Sequence, residues 1–191
     1  PEPRFGQTLL MLTIQNNDFK SFQKLLELKA NPNLYDESDG RSAIIIASGF
    51  NGFNNDGVRF LKLLLKYGAN PNDLEIGKRR KGSYQRLSPL LAASSESLEK
   101  VEILIQYGAK INFKNEFGST ALHEAVTNRK YDIVLYLMKN GADYESPLFN
   151  RNGQDIYIVD LLKDDNVPLV EEKLEQKEKV IEFLKSKGLK Y

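Results

Sequence analysis

Few side chains in this sequence could carry out acid–base or nucleophilic chemistry. His123 is the only histidine among the 191 residues, and there is no cysteine. A catalytic histidine needs a nucleophile or a carboxylate held in matched geometry. The acidic pairs Asp164-Asp165 and Glu171-Glu172 instead lie in charge runs typical of exposed surface. Since the Gly-x-Gly-x-x-Gly, Gly-x-Ser-x-Gly and His-Glu-x-x-His patterns are also missing, we predict no enzyme and no cofactor.

The composition narrows the class of partner. Lysine and arginine total 27 and aspartate and glutamate total 26, so a general nucleic-acid-binding surface is not expected. No apolar run approaches the ~18 residues that span a bilayer, and without cysteine no disulfide or thiolate zinc site can form. With 41% hydrophobic residues, the chain can bury a substantial core.

The sequence repeats one pattern of two apolar segments five times. Each copy opens on a Gly or an Arg, has a hydroxyl or carboxyl side chain two residues later, and continues with an apolar run. The five openings are GQTLLMLTI at Gly6, GRSAIIIAS at Gly40, RLSPLLAAS at Arg86, GSTALHEAV at Gly118 and GQDIYIVDL at Gly153. Such a segment pair cannot bury its apolar stripe alone, and stacked neighbours bury it together. The pattern therefore predicts an array of helix pairs.

Residues at fixed places in each copy suit helix ends. Side-chain oxygens that can cap the first helix are found at Thr8, Ser42, Ser88, Thr120 and Asp155. A glycine, which readily adopts the left-handed backbone conformation, follows the second helix at Gly68, Gly108 and Gly141. In the outer copies a lysine replaces or shifts this glycine, at Lys29 and Lys187.

Together these features resemble the ankyrin repeat, with its Gly-x-Thr-Pro-Leu-His opening and Gly-Ala-x-x-Asn ending. The resemblance implies an all-α fold, a solenoid of about five helix-turn-helix repeats with β-turn fingers. It places a single array over residues 1–191, with repeats near 5–33, 34–72, 73–112, 113–145 and 146–191. In that family the histidine links backbone groups of adjacent turns. The other copies carry Met11, Ile45, Leu91 and Ile158 at that position, so we interpret His123 as structural.

The first departure from the repeat is a basic insertion, DLEIGKRRKGSYQRL, at residues 73–87. It carries Lys78, Arg79, Arg80, Lys81 and Arg86 beside Tyr84. Three interpretations stay open: an electrostatic contact to an acidic partner, a solvated finger tip, and a nuclear-localisation or nucleic-acid segment.

Two other departures lengthen the copies. SGFNGFNNDGVRF, at residues 48–60, extends the turn between two helices, and its Phe50 and Phe53 either anchor a partner or fold back onto the array. It matches neither a phosphate loop nor a calcium loop. Residues 161–188 place glutamates and lysines, Lys177 among them, on a solvated C-terminal cap. The first copy has no polar cap, and we expect residues upstream of this sequence to cover it, with a partner as the alternative.

The resemblance implies protein binding through the finger tips and the outward positions of the first helices, which together form a concave surface. The candidate contact residues at these positions are Tyr35, Glu37, Asp39, Arg41, Phe50, Phe53, Lys78, Arg79, Arg80, Lys81, Tyr84, Arg86, Glu96, Glu116, Phe117, Asn128 and Arg151. Tyr, Phe and Arg are the residue types that most often supply binding hot spots.

The segments FGQTLLMLTIQNND, DGRSAIIIAS and DIYIVDLL look similar to small bacterial ankyrin proteins encoded beside secreted antibacterial effectors, notably lipases of the type VI system. By that resemblance the chain is an immunity protein, monomeric when free, that neutralises a lipase-type toxin. It would then work in the periplasm or cell envelope after removal of a signal. The alternative is a general scaffold or adaptor in the cytoplasm.

Overall fold

The computed structural model describes residues 7–37, 40–49, 57–76, 86–163 and 168–190. It divides into two compact units, Pro1–Lys110 and Ile111–Tyr191. The elements of the first unit are α1 (Leu9–Gln15), α2 (Phe19–Glu27), α3 (Ala43–Ser48), α4 (Gly57–Lys66), α5 (Pro89–Ser94) and α6 (Leu98–Gln106). Those of the second are α7 (Ala121–Thr127), α8 (Tyr131–Lys139), β1 (Phe149–Arg151), β2 (Gln154–Ile156), α9 (Ile158–Leu162) and α10 (Glu171–Ser186).

Helices pack as consecutive pairs, and the pairs stack within each unit. In the first unit α1 packs on α2, α3 on α4 and α5 on α6, while α1, α3 and α5 also pack on one another in order. In the second unit α7 packs on both α8 and α9, and α8 packs on α10. The two short strands β1 and β2 form the only sheet in the described part of the chain. The predicted all-α repeat fold is confirmed.

Three predicted helix caps are formed. The hydroxyls of Thr8, Ser88 and Thr120 accept hydrogen bonds from backbone N–H groups three residues on, at 3.3, 3.2 and 3.1 Å. Each satisfies an N–H group that the helix leaves unpaired. Ser42 also occupies an N-cap position, but its buried hydroxyl forms no cap hydrogen bond.

The prediction for Asp155 is wrong, because this residue belongs to β2. Its carboxylate accepts a hydrogen bond from the Asn150 side chain across the hairpin, at 2.9 Å. The N-cap of α9 is Tyr157, whose N–H donates to Asp160 at 2.9 Å. Ile158 is thus the first residue of α9 and does not take the place of His123 in its repeat.

Asparagine side chains bridge the ends of successive second helices. Each amide donates to the carbonyl of the next repeat's glycine and accepts from the N–H two residues beyond it. The three bridges, with distances of 2.8–3.0 Å, run from Asn33 to Gly68 and Asn70, from Asn72 to Gly108 and Lys110, and from Asn112 to Gly141 and Asp143. The glycines have φ of 85°, 87° and 94°, as predicted for left-handed positions.

We expect Asn72→Ala to lower the free energy of unfolding by about 1–2 kcal/mol, since it removes two hydrogen bonds that join neighbouring repeats. Equilibrium urea unfolding followed by circular dichroism measures the change. Asn16→Ala is the control, because the Asn16 side chain is exposed and bridges no repeats. Equal effects of the two substitutions would contradict a role for the bridge.

The second helix of the lengthened repeat begins earlier than predicted. Residues 57–60, expected to be turn, are the first turn of α4, because Phe60 and Leu61 are fully buried there. Gly57 faces α3, and a Cβ at this position would lie 2.6 Å from the Ala47 carbonyl oxygen. The close approach of backbone explains why a glycine is placed at this helix start.

The C-terminal helix α10 is a polar cap with one difference from the prediction. Its glutamates at 171, 172, 175, 178 and 182 are exposed. Lys177, expected on the solvated face, is only 4% exposed. It lies three and seven residues before the buried Val180 and Leu184, so it shares the face that packs on α8. Among the described helices, none is long and apolar enough to cross a membrane.

Candidate protein-interaction site

Tyr35 has a structural role in the finger before α3. Tyr35 forms an antiparallel bridge with Ser42, and the Asp36 N–H donates to the Arg41 carbonyl at 2.8 Å. The Tyr35 hydroxyl donates to the Asp73 carboxylate of the next finger. Burial, with help from Asp73, raises the pKa of Tyr35 to about 12. Tyr35 therefore joins two fingers, and its hydroxyl is engaged within the chain.

The other predicted contacts of the first unit differ in accessibility. Glu37 and Arg86 are exposed, while Arg41 and Glu96 are half-buried. Glu96 lies just beyond the end of α5 and not on the helix itself. The remaining predicted contacts fall outside the described residues: Asp39, Phe50, Phe53, Lys78, Arg79, Arg80, Lys81 and Tyr84.

The residues at the two ends of the basic insertion are hydrogen-bonded to each other and to the preceding finger. The Glu75 N–H donates to the Leu87 carbonyl at 3.1 Å, and the Ile76 N–H donates to the Gly40 carbonyl of the preceding finger at 2.9 Å. The two ends of the insertion, at Glu75 and Leu87, therefore lie side by side. The three interpretations of its basic residues stay predictions, because residues 77–85 lie outside the described ranges.

The finger before α7 presents a phenylalanine to solvent. Asn115 is buried, and its side-chain oxygen accepts from the N–H groups of Phe117 and Ser119, at 3.0 and 2.9 Å. Gly118 completes the turn with φ of 77°. These bonds fix the loop from within and leave Phe117 58% exposed, with Glu116 exposed beside it. A rigid turn with an exposed aromatic tip is well suited to contact another protein.

His123 packs against both the finger before α7 and the β1 strand. Its Nδ1 lies 3.2 Å from the Ser119 hydroxyl, and its ring stacks on Phe149 with centroids 4.9 Å apart. Ser119 is itself buried, at 7% exposed. The predicted link to backbone groups is wrong, because the hydrogen-bond partner is the Ser119 side chain.

The single histidine offers a direct test of this packing. Burial lowers the pKa of His123, so the folded state favours the neutral ring. The stabilisation is complete above the unfolded-state pKa near 6.5 and is lost as the pH falls through the lower folded-state pKa. We expect its NMR titration midpoint to lie below that measured in urea. Phe149→Ala should move the midpoint back toward the urea value, and coincident midpoints in the native protein and in urea would refute the packing.

The two remaining predicted contacts lie in the second unit. Asn128 is the C-cap of α7, and its side chain donates to the Glu124 carbonyl at 2.8 Å. Arg151 lies on β1, exposed, with its guanidinium 5.4 Å from the centre of the Phe149 ring.

A pocket that the sequence analysis missed adjoins these residues. It measures about 360 Å³ and lies between α7, the β1 strand and α9. Arg129 and Phe149 line it together with Arg151. The signal in the sequence was weak, since only the docked hairpin brings Phe149 to α7. No group of histidine or acidic side chains within the described ranges could hold a metal ion.

Paired helices, projecting fingers and asparagine bridges define a helical-repeat protein. More specifically, residues 53–147 match the family model of ankyrin repeats, in three copies. These residues therefore carry ankyrin repeats, which typically serve as non-enzymatic protein-interaction modules.

Known relatives include viral and animal proteins. The chain is 33% identical to ankyrin repeat protein L271 of Acanthamoeba polyphaga mimivirus over 95 residues, which is 47% of the chain and 13% of that protein. It is 29% identical to the mouse B-cell lymphoma 3 protein homolog over 73% of the chain and 30% of that protein. It is 27% identical to the human neurogenic locus notch homolog protein 1 over 76% of the chain and 6% of that protein. The chain thus spans less than a third of each of these relatives.

Proposed function

We propose that this chain is a scaffold or adaptor that binds another protein through its fingers and the ends of its first helices. The observation that carries the proposal is the finger at residues 115–119, in which buried hydrogen bonds hold Phe117 58% exposed. An exposed aromatic side chain can bury a large apolar area at an interface. Because the turn is already ordered, little conformational entropy is lost on binding.

The remaining exposed residues of the fingers support an interaction with a protein. Glu37, Arg86, Glu116 and Arg151 are exposed and of mixed charge. Exposed charges of both signs favour a protein partner over a uniformly anionic one. The near balance of 27 basic and 26 acidic residues agrees with this choice.

The immunity role implied by the sequence resemblance has no support among the relatives named above, which are viral and animal proteins. It stays a separate prediction with its own consequence. A partner that proves to be a secreted hydrolase would favour effector neutralisation, whereas an intracellular regulatory or structural protein would favour the scaffold.

Site-specific photo-cross-linking tests the proposal. Benzoylphenylalanine replaces Phe117 in the intact chain, and the matched control carries it at Tyr107, which is 49% exposed just after α6. In an extract of the cells that produce the chain, position 117 should yield a discrete protein adduct and position 107 should not. Equal labelling from the two positions would contradict binding through the finger.

A further inference from the structure

The pocket beside the second-unit finger combines an apolar wall with two cationic side chains. Its apolar surface comes from Val126, Leu161 and Phe149, and its guanidinium groups come from Arg129 and Arg151. At about 360 Å³ it lies within the range of roughly 300–1,000 Å³ that is usual for ligand pockets. It is large enough to receive a side chain of another molecule.

Among the residues that the structure describes, no carboxylate lines this pocket. Thr127, Tyr131 and His123 complete its lining, and none of them carries a negative charge. In the described part of the chain neither Arg129 nor Arg151 forms an ion pair, and the contact made by the Arg151 guanidinium is with the Phe149 ring. The lining residues in the described ranges therefore carry two positive charges and no negative charge.

The backbone holds both arginines at the pocket rim. Arg129 has φ of 54° and directly follows the C-cap of α7, and its N–H donates to the Val126 carbonyl at 3.0 Å. Arg151 is paired with Gln154 in the β1–β2 hairpin. Two arginines on such fixed backbone can present their planar donor groups to one carboxylate.

We propose that this pocket receives a glutamate or aspartate side chain of the partner protein, with the carboxylate between Arg129 and Arg151 and a neighbouring apolar side chain against Phe149 and Leu161. The inference rests on the proposed function and names the chemistry that its binding surface recognises. A protein segment fits better than a nucleic acid, because Val126 and Leu161 offer aliphatic contacts to an apolar side chain and the 27 basic and 26 acidic residues give no general basic surface.

Short peptides probe the pocket without knowledge of the partner. Acetyl-Leu-Glu-Leu-amide is titrated into the intact chain, with acetyl-Leu-Gln-Leu-amide as the matched neutral peptide. The readouts are the NMR signals of the arginine Nε–H groups and of the His123 ring. We expect saturable shifts of the Arg129, Arg151 and His123 signals with the glutamate peptide, and binding at least about tenfold weaker with the glutamine peptide.

Neutralising substitutions locate the effect. Arg151→Gln and Arg129→Gln should each weaken binding of the glutamate peptide by about tenfold, since each removes a charged hydrogen-bond donor. Lys139→Gln is the control, because Lys139 is exposed on α8 and does not line the pocket. Circular dichroism confirms that the variants are folded.

Three results would overturn the inference. The glutamate peptide could leave these signals unmoved, the glutamine peptide could bind equally well, or inorganic phosphate and a short oligonucleotide could bind more tightly and assign the pocket to nucleic acid. Cross-linking from position 117 separates this failure from that of the proposed function. If the peptide fails while the protein adduct persists, the chain binds proteins without an acid-specific pocket; if both fail, both proposals are wrong.

Discussion

Phe60→Ala is expected to lower the free energy of unfolding by about 3–5 kcal/mol, the usual loss for a phenylalanine deleted from a core. Phe60 is fully buried, and its ring meets Phe22 edge-on with centroids 4.9 Å apart. It also lies 5.3 Å from Phe19, so one side chain joins α2 to α4. The deletion leaves a cavity that neighbouring rings cannot fill without moving.

Arg59 makes polar contacts at the same junction. We do not expect these contacts to restore the stability lost in Phe60→Ala. The Arg59 guanidinium donates to the Asn17 side chain at 2.8 Å and lies over the Phe19 ring at 4.9 Å. The Arg59 guanidinium also lies 5.3 Å from the centre of the Phe60 ring, so removing that ring also removes this cation–π contact.

Tyr67→Ala provides the matched control in the same repeat. Tyr67 directly follows α4 and is 39% exposed, so we expect its loss to cost about 1 kcal/mol or less. Urea unfolding followed by circular dichroism compares the two variants. If they are equally stable, the aromatic junction does not hold the repeats together and the stacking account is wrong.

The second large effect concerns binding. Phe117→Ala should weaken affinity for the purified partner by about 2 kcal/mol or more, roughly thirtyfold, as expected of an aromatic hot spot. The substitution should leave stability almost unchanged, because the Phe117 side chain is 58% exposed and the turn is held by Asn115. Titration calorimetry measures the affinity, with Tyr107→Ala as the control for loss of an exposed aromatic. Unchanged affinity in the Phe117 variant would remove this finger from the interface.

The sequence could predict features that depend on short-range chemistry. The caps at Thr8, Ser88 and Thr120 follow from hydroxyls placed directly before apolar segments, and the left-handed glycines follow from the helix ends. These features recur with the repeat, so each copy supports the assignment of the others. The all-α fold followed from this internal consistency.

Features that depend on packing between distant segments were not predictable in the same way. Lys177 alternates with glutamates in sequence, yet it lies on the buried face because α10 docks against α8. Asp155 resembles a cap, but hairpin pairing moves the start of α9 by two residues. The hydrogen bond from Tyr35 to Asp73 joins residues 38 positions apart. The residue type and finger position of Tyr35 predicted a contact with a partner, and they gave no sign of this bond within the chain.

The same reason explains the missed pocket. Arg129 follows α7 whereas Phe149 and Arg151 come from the hairpin, and nothing in the repeat pattern says that this hairpin lies against α7. The last copy is also the one whose sequence departs furthest from the repeat. The pocket is therefore formed in part by the copy for which the repeat pattern predicts least.

The central claim is that the fingers form the binding surface. Amide hydrogen exchange tests it in the intact chain, with and without the purified partner that cross-linking identifies. We predict slower exchange in the complex at residues 115–119 and 149–151, with unchanged rates at the exposed ends of α2 and α6. Slowing confined to those helix ends, with residues 115–119 and 149–151 unaffected, would contradict it.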